Sequence, residues 1–365
     1  MSILPINDWF AKDFKHPLII AGPCSAESRE QVLSTAIAIA NTGKVKALRA
    51  GVWKPRSRPG TFQGAGEPAL EWLVEAKRET GLPIIIEVAT PQHLETAMRY
   101  GVDMFWVGAR TSSNPFSIDE LASAMAGLDK PVLIKNPIHP DLELWLGSIE
   151  RFAKAGVKKL GAIHRGFSPF QKSIYRNLPK WEIPIDLKTH IPNLPIICDP
   201  SHIAGKPGLI KEVSQKALDL SMDGLMIETH INPKLALSDA KQQVTPLQLV
   251  EILDGLLYRK ASPSTLEFID ILESFREQID SLDQQLLELL SQRMDIVKKI
   301  GEYKLKNNVA IMQLRRWEEM VNSRVEIGNA LGLDERYVKN LLRLVHKESI
   351  QKQAEILSSS RKPKG

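Results

Sequence analysis

The sequence predicts a parallel α/β barrel followed by a separate all-helical domain. Eight short apolar runs rich in β-branched residues recur through roughly the first 230 residues, and helical stretches separate most of them. Continuous apolar runs that alternate with helices are typical of a parallel sheet buried on both faces, and eight such strands close into a (β/α)₈ barrel. After residue 257 the apolar residues follow a helical period instead. A length of 365 residues also favours two domains.

Each element follows from local composition. The predicted strands cover residues 18–21, 47–50, 84–88, 104–107, 132–135, 160–163, 195–198 and 225–227. The clearest helices between them cover residues 29–41, 68–80, 91–100, 142–155 and 208–220. We place the barrel domain at residues 1–258, a short linker at 259–265, the helical domain at 266–357 and a disordered basic tail at 358–365.

Composition restricts the class of protein. Hydrophobic residues make up 43% of the chain and charged residues 25%, which is ordinary for a globular protein. The net charge of +5 and the pI of about 9.0 suit anionic ligands. No basic stripe interleaved with aromatic residues suggests nucleic acid, no apolar stretch approaches a membrane span, and the first residues do not resemble a signal peptide. We therefore expect a cytoplasmic protein with neither nucleic acid nor membrane as a partner.

Cys24, one of only two cysteines, follows the first predicted strand. Parallel barrels place their chemistry at this carboxyl-terminal end of the strands. His202, Glu228 and Asp239 follow later strands, and a thiolate, an imidazole and two carboxylates suit an exchangeable Mn²⁺, Fe²⁺, Co²⁺ or Zn²⁺ ion better than a closed structural zinc site. Two other interpretations remain open: Cys24 as a small core residue, and a disulfide with Cys198, which a cytosolic location disfavours.

Charged and polar side chains also follow the other predicted strands. They are Arg49, Lys54, Glu87, Arg110, Lys135, His164, Arg165 and Asp199. Unpaired charge at the strand ends of a packed barrel is costly unless the charges converge on a ligand. Five cations in one barrel mouth therefore predict a polyanionic substrate. A Schiff-base aldolase with Lys135 or Lys54 as the reactive amine is an alternative, although it leaves the four metal-ligating residues unexplained.

The helical domain begins with an unusually long predicted helix. Its apolar residues are Ile269, Leu272, Phe275, Ile279, Leu282, Leu286 and Leu289. A helix from residue 266 to about residue 305 would be about 60 Å long, and it cannot bury such a stripe within one small domain. We therefore expect a homodimer through this domain, with larger assemblies left open. Arg293 and Lys304 continue the same face, where a cation is costly unless it meets an anion.

The first domain resembles the 3-deoxy-D-arabino-heptulosonate 7-phosphate (DAHP) synthases of type I-beta. The resemblance covers residues 18–257 and rests on the motifs AGPCSAES, LRAGVWKPR, VGAR, IKNP, IHRGF, CDPSH and the pair IETH and SDA. It implies condensation of phosphoenolpyruvate with erythrose 4-phosphate, the first step of the shikimate pathway. The implied metal ligands are Cys24, His202, Glu228 and Asp239. The implied phosphoenolpyruvate pocket comprises Arg49, Lys54, Arg110, Lys135 and Arg165.

The same resemblance assigns the erythrose 4-phosphate pocket to Pro55, Arg56 and Ser57. Glu87, Lys135 and His164 are candidates for positioning the attacking water. The sister class, 3-deoxy-D-manno-octulosonate 8-phosphate synthase, is an alternative for the barrel, but it carries an Asn-containing loop where this chain has the sequence KPR.

The helical domain resembles the all-helical chorismate mutases, which convert chorismate to prephenate. The implied site comprises Arg276, Arg293, Lys304, Gln313, Arg316, Ser349 and Gln353, with Arg276 reaching in from the partner chain. Gln313 and Trp317 stand where the family usually has Asp and Glu. A non-catalytic module for effector binding or dimerisation is therefore an alternative. The fusion further implies that chorismate or prephenate inhibits the barrel.

Overall fold

The computed structural model describes residues 1–10, 17–54, 60–259, 266–312 and 314–359. The chain divides into two compact units, Met1–Ala261 and Ser262–Gly365. The first unit contains all eight strands and the second contains only helices among the described residues.

Eight parallel strands form a closed barrel in the order β1 to β8. They are β1 (Leu18–Gly22), β2 (Ala47–Ala50), β3 (Ile84–Val88), β4 (Met104–Val107), β5 (Val132–Lys135), β6 (Leu160–His164), β7 (Ile196–Cys198) and β8 (Gly224–Glu228). The last strand pairs with the first, with Leu18 opposite Gly224 and Gly22 opposite Glu228. This register places the carboxyl ends of β1 and β8 side by side and confirms the predicted barrel.

Nine helices accompany the strands in the described part of this unit. They are α1 (Arg29–Ala40), α2 (Glu67–Thr80), α3 (Pro91–Arg99), α4 (Pro115–Ala124), α5 (Leu142–Lys154), α6 (Glu182–His190), α7 (Pro200–Ala204), α8 (Ile210–Asp219) and α9 (Pro246–Asp254). The predicted helices omit α4, α6, α7 and α9. Side chains that accept backbone N–H groups cap α4, α7 and α9, and Pro occupies the first turn of each. These capping signals identify short helices that the apolar period does not reveal.

The barrel interior is packed rather than open. It is filled by Leu18, Ile20, Ala47, Ile85, Met104, Trp106, Leu133, Ile163, Ile197 and Met226, all at most 1% exposed. Ile6 and Trp9 of a short 3₁₀ helix join the same cluster. Because this interior leaves little free volume, ligands have access to the barrel at the mouth formed by the strand ends.

The described part of the second unit consists of three helices, α10 (Leu266–Lys306), α11 (Leu314–Ala330) and α12 (Glu335–Ser359). The 41-residue α10 confirms the predicted long helix, and it packs against α12, which also contacts α11. Ser358 and Ser359 continue α12 and are therefore helical, although we expected a disordered tail from residue 358.

Much of the apolar face of α10 is exposed. Phe275, Ile279, Leu282, Leu286 and Leu289 are 49–63% exposed, whereas Val297 is buried. No helix in the described part of the chain combines the length and the hydropathy that crossing a membrane requires.

Candidate active sites

Three of the four predicted metal ligands converge at the barrel mouth. Cys24 lies just after β1, Glu228 is the last residue of β8, and Asp239 lies in the loop that follows β8. One ligand atom from each of these side chains lies within 4.8 Å of the others. The Cys24 Sγ is 3.5 Å from Asp239 Oδ2. The pairing of β1 with β8 brings the first two together, and the loop after β8 adds the third.

The fourth predicted ligand, His202, lies beside this cluster and is oriented by Asp199. Asp199 caps α7 by accepting the backbone N–H of His202, and its Oδ2 lies 2.8 Å from His202 Nδ1. The other ring nitrogen, Nε2, lies 3.9 Å from Glu228 Oε1. Burial lowers the pKa of His202 despite the neighbouring carboxylates. The imidazole is therefore neutral at pH 7, as a metal ligand must be.

The donor set suits a divalent cation. Glu228 Oε1 is buried and has no hydrogen-bond partner among the described residues. Soft sulfur, imidazole nitrogen and carboxylate oxygens together match a first-row transition metal. Burial raises the pKa of the Cys24 thiol to about 12, so Cys24 is not a reactive thiolate in the metal-free protein. Cys24 and Cys198 are both free, which argues against the disulfide alternative.

Three cations, two of them buried, lie around the cluster. Lys54 Nζ lies 3.0 Å from Cys24 Sγ, and Lys135 Nζ lies 2.9 Å from Asp199 Oδ2. Arg49 is 1% exposed, and its Nη2 lies 3.3 Å from Glu228 Oε1. The Nε and Nη1 atoms of Arg49 have no hydrogen-bond partner among the described residues. Because an unsatisfied buried guanidinium is costly, this arrangement suits an anionic ligand.

Trp106 provides an aromatic surface beneath two of these cations. The guanidinium carbon of Arg49 lies 5.0 Å from the centre of the Trp106 ring, and Lys135 Nζ lies 5.6 Å from it. The indole N–H donates to Glu87 Oε2 at 3.0 Å. Trp106 thus connects the cations to Glu87 through one rigid side chain.

Arg165 extends the positive region on the β6 side of the mouth. Its Nη1 donates to Asn177 Oδ1 at 2.8 Å. Burial, reinforced by the charges of Arg176 and Arg110, lowers the pKa of Arg165 to about 10 against the opposing charge of Asp199. The positive charges of Arg165, Arg176 and Arg110 repel one another, and a bound polyanion would reduce this repulsion.

His164, the last residue of β6, lies in an aromatic environment. Its ring centroid is 5.2 Å from that of Trp181, 5.9 Å from that of Phe167 and 6.5 Å from that of Trp145. Burial lowers the pKa of His164 to about 3. Its imidazole is therefore neutral at pH 7, and the structure identifies it as a neutral polar group rather than a further cation.

Some predicted site residues lie outside the described part of the chain, and some residues at the site were not predicted. Pro55, Arg56 and Ser57 lie outside the described residues, so the erythrose 4-phosphate pocket stays a prediction. The sequence placed Asp199 among the strand-end charges without a specific role, and it gave no site role to Trp106, Arg176 or Gln242. The CDPSH motif contains a recognisable helix cap at Asp199, whereas Trp106 lies in an apolar run typical of any core strand.

The helical unit brings several predicted mutase residues together. Arg293 on α10 donates from Nη1 to Ser349 Oγ on α12 at 2.7 Å. One helical turn further along, Gln353 is 8% exposed, and its Oε1 has no hydrogen-bond partner among the described residues. Lys304 Nζ donates to the Ile311 carbonyl at 2.5 Å. Burial lowers the pKa of Arg293, as expected for a cation that faces the interior.

Trp317 stacks on His346 in the same unit. The ring centroids lie 3.9 Å apart and the planes differ by 22°. Burial and the charges of Arg293 and Lys304 lower the pKa of His346. A neutral aromatic pair therefore occupies the position where the mutase family usually has a carboxylate.

Of the remaining predicted mutase residues, the two that the structure describes are exposed. Arg276 is exposed and pairs with Glu273 on its own helix at 2.5 Å. Arg316 is exposed, and Gln313 lies outside the described residues. The site within one chain is therefore built mainly from α10 and α12.

Comparisons with known proteins agree with both units. Residues 11–258 match the model of the DAHP synthetase I family. The chain is 37% identical over 226 residues to a phospho-2-dehydro-3-deoxyheptonate aldolase of Thermotoga maritima, a match that spans 62% of this chain and 64% of the relative. A crystal structure of a DAHP synthase from that organism is similar with a TM-score of 0.59 and 34% identity, over 65% of this chain and 67% of that one.

Two further matches bear on the alternatives. A 2-dehydro-3-deoxyphosphooctonate aldolase of Variovorax paradoxus is 26% identical over 265 residues, which cover 66% of this chain and 88% of the relative. Residues 275–354 match the model of chorismate mutase type II. A bifunctional chorismate mutase/prephenate dehydratase of Buchnera aphidicola is 31% identical over 83 residues, which cover 23% of this chain and 22% of the relative.

The first family model covers more than half of the chain, and the second covers most of the helical unit. The resemblances inferred from the motifs are thereby confirmed. The chain belongs to the DAHP synthetase I family and carries a C-terminal domain of the chorismate mutase type II family.

Proposed function

We propose that the barrel condenses phosphoenolpyruvate with erythrose 4-phosphate to give DAHP and inorganic phosphate, with a divalent metal ion bound by Cys24, His202, Glu228 and Asp239. The observation that carries the proposal is the buried Arg49, which has unsatisfied donors and lies 3.3 Å from a metal-ligating carboxylate. A substrate that carries both a phosphate and a carboxylate satisfies such donors. The bound metal would supply Lewis-acid polarisation of the aldehyde oxygen.

The side chains of the mouth have distinct roles in this reaction. The phosphate and carboxylate of phosphoenolpyruvate bind to five cations, which orient its C3 toward the aldehyde carbon: Arg49, Lys54, Arg110, Lys135 and Arg165. As C3 bonds to the aldehyde carbon, the C2–C3 π bond breaks and the former aldehyde oxygen gains a proton. Water adds to the electron-poor C2 and gives up its protons, and the C2–O bond to phosphate breaks, which leaves a C2 ketone and inorganic phosphate. Glu87 is the candidate we favour for holding this water, because it is a carboxylate fixed by Trp106 at the mouth. The pKa of about 3 makes His164 a neutral hydrogen-bonding group here.

Removal of the metal tests this proposal. Dialysis of the full-length protein against a chelator should abolish DAHP formation, and Mn²⁺, Fe²⁺, Co²⁺ or Zn²⁺ should restore it. Cys24→Ser should bind metal weakly and lose most activity, because a hydroxyl is a poorer ligand than a thiolate for these ions. Full activity of the metal-free wild type would contradict the proposal.

A competition assay separates the two sugar phosphate classes. The purified chain should use erythrose 4-phosphate in preference to arabinose 5-phosphate. We further expect Arg56→Ala to raise the KM for erythrose 4-phosphate more than the KM for phosphoenolpyruvate. Equal use of both aldose phosphates would favour the octulosonate class instead.

For the helical unit we propose conversion of chorismate to prephenate in a homodimer. This pericyclic rearrangement needs no acid, base or nucleophile, only cations that hold both carboxylates and donors near the breaking ether bond. Arg293 bonded to Ser349, together with Lys304 and the donating Nε2 of Gln353, offers such groups. The exposed apolar face of α10 supports dimerisation. A chorismate assay of the full-length chain, paired with light scattering, tests both parts.

The Trp317–His346 stack favours one alternative, a non-catalytic effector-binding module. Trp317 cannot accept a hydrogen bond from a substrate hydroxyl, so turnover could be lost while carboxylates still bind. Prephenate that binds without any conversion of chorismate would support this alternative.

We also propose that chorismate or prephenate bound to the helical unit inhibits the barrel. Inhibition requires the ligand to bind differently to active and inactive states, and a coupling of roughly 1 to 3 kcal/mol is sufficient. Arg293→Leu in the full-length chain should remove the inhibition and leave uninhibited DAHP formation intact. Persistent inhibition by prephenate would place the effector site elsewhere.

A further inference from the structure

A buried glutamine connects the two carboxylates of the candidate metal site. Gln242 is 1% exposed, and its Nε2 donates to Glu228 Oε2 at 2.6 Å. Its Oε1 accepts a hydrogen bond from Arg176 Nη1. The same Nη1 lies 3.0 Å from Asp239 Oδ1. Glu228, Gln242, Arg176 and Asp239 therefore form one continuous chain of hydrogen bonds.

The chemistry of the partners fixes the orientation of the amide. A carboxylate can only accept hydrogen bonds, and a guanidinium can only donate them. A carboxamide can bridge the two, because its nitrogen donates to Glu228 while its oxygen accepts from Arg176. A carboxylate or an apolar side chain of similar length cannot make both bonds.

The bridge occupies one oxygen of each carboxylate and leaves the other toward the cluster. The remaining Glu228 Oε1 accepts no hydrogen bond from the described residues and forms an ion pair with Arg49 Nη2 at 3.3 Å. The remaining Asp239 Oδ2 lies 3.5 Å from Cys24 Sγ. One oxygen of each carboxylate is therefore not used by the bridge, and ligand atoms of Glu228 and Asp239 lie within 4.8 Å of that of Cys24.

Local backbone geometry explains how Gln242 reaches this position. Residues Ala240–Gln242 form a 3₁₀ turn directly after Asp239, and the N–H of Gln242 donates to the Asp239 carbonyl at 3.1 Å. Side chains three residues apart on a 3₁₀ turn lie on the same side. Asp239 has a φ of +48°, an uncommon conformation for a non-glycine residue. The turn therefore places the side chains of Asp239 and Gln242 close to Glu228.

We propose that Gln242 is a positioning residue for the metal site: through its bonds to Glu228 and Arg176, it holds both carboxylates by one oxygen each and so orients them for a cation. This inference rests on the proposed metal dependence of the barrel. Loss of a hydrogen-bond partner of a metal ligand typically weakens metal affinity by about 10–100-fold. The structure provides such a partner for Glu228 directly and for Asp239 through Arg176.

Cobalt binding to the full-length chain tests the proposal. Gln242→Met keeps the length of the side chain and removes both hydrogen bonds. We expect its Kd for Co²⁺ to rise by about 10–100-fold. The thiolate-to-cobalt absorption should persist because Cys24 is unchanged, while the d–d bands should shift as Glu228 changes its binding mode.

The matched control is Gln215→Met, which removes an exposed carboxamide that bonds Asp219 and the Leu257 carbonyl. It should leave the Kd and the spectrum unchanged. The thermal midpoints of all metal-free variants show whether folding is affected.

The outcomes are distinct. Wild-type protein that fails to bind cobalt would refute the proposed metal site itself. Wild-type binding with an unchanged Kd in Gln242→Met would refute only the role of Gln242. A weaker Kd with an unchanged cobalt spectrum would assign Gln242 a merely structural role and also overturn the inference.

Discussion

Replacement of Gly108 by Ala should displace Glu87 and thereby test its role in holding water. A Cβ at position 108 would lie 2.1 Å from Glu87 Oε1 and 2.8 Å from Glu87 Cδ. Because real Cβ contacts stay beyond about 3.0 Å, the carboxylate must shift by about 1 Å. A misplacement of this size can cost about 100-fold in rate. Weakening of the bond from Trp106 would cost roughly 1–3 kcal/mol of stability.

The assay is DAHP formation with a saturating concentration of metal, combined with denaturant unfolding. We expect the kcat of Gly108→Ala to fall by about 100-fold. The KM values should change little, because Arg49 and Lys135 stay in place. Gly208→Ala is the matched control, since a Cβ at position 208 meets no atom within 4 Å. If Gly108→Ala retains a kcat within about twofold of the wild type, Glu87 does not hold the attacking water.

Three other predictions concern pH and the helical unit. Burial lowers the pKa of His164 to about 3, whereas the unfolded value is about 6.5. Between about pH 3 and about pH 6.5 the unfolded chain therefore binds one more proton than the folded chain. The free energy of unfolding should fall as the pH drops below about 6.5. His164→Phe should reduce this slope by on the order of 1 kcal/mol per pH unit in denaturant titrations from pH 5 to 7, and an unchanged slope would contradict the assignment. Arg293→Leu should lower the kcat/KM for chorismate roughly 100-fold, because it removes a charged hydrogen-bond donor. The thermal midpoint should not fall, because the substitution replaces a partly desolvated cation by an apolar group. A lower midpoint would show that Arg293 is needed for folding. Mixed dimers of Arg276→Ala and Lys304→Ala chains should recover mutase activity if Arg276 completes the partner's site, and verified heterodimers without activity would exclude a shared site.

The repeated apolar runs of the sequence are sufficient to determine the barrel. A parallel strand buried on both faces requires continuous apolar residues, so each of the eight strands was detectable from local composition. The long α10 was detectable for the same reason, because its apolar period extends over many turns. The five-residue α7 was not, because it is too short to establish a period. The helices α4, α6 and α9 were missed because their apolar residues are less clearly confined to one face than those of α3 and α8, which have similar lengths.

The sequence motifs also identified Cys24, Glu228 and Asp239 as candidate ligands, and the structure brings the three together. Tertiary structure alone decided what surrounds them. The bond from Gln242 to Glu228 exists because the loop after β8 folds back over the end of that strand.

The ionisation of the site was likewise decided by tertiary structure. The pKa of Cys24 rises to about 12 because the fold removes the thiol from water, and the pKa of His164 falls to about 3 for the same reason. The sequence by itself determined which chemical groups lie at the strand ends, because strand periodicity is local. Their charge states and hydrogen-bond partners depend on desolvation and on contacts between residues distant in the chain, and only the closed barrel creates those.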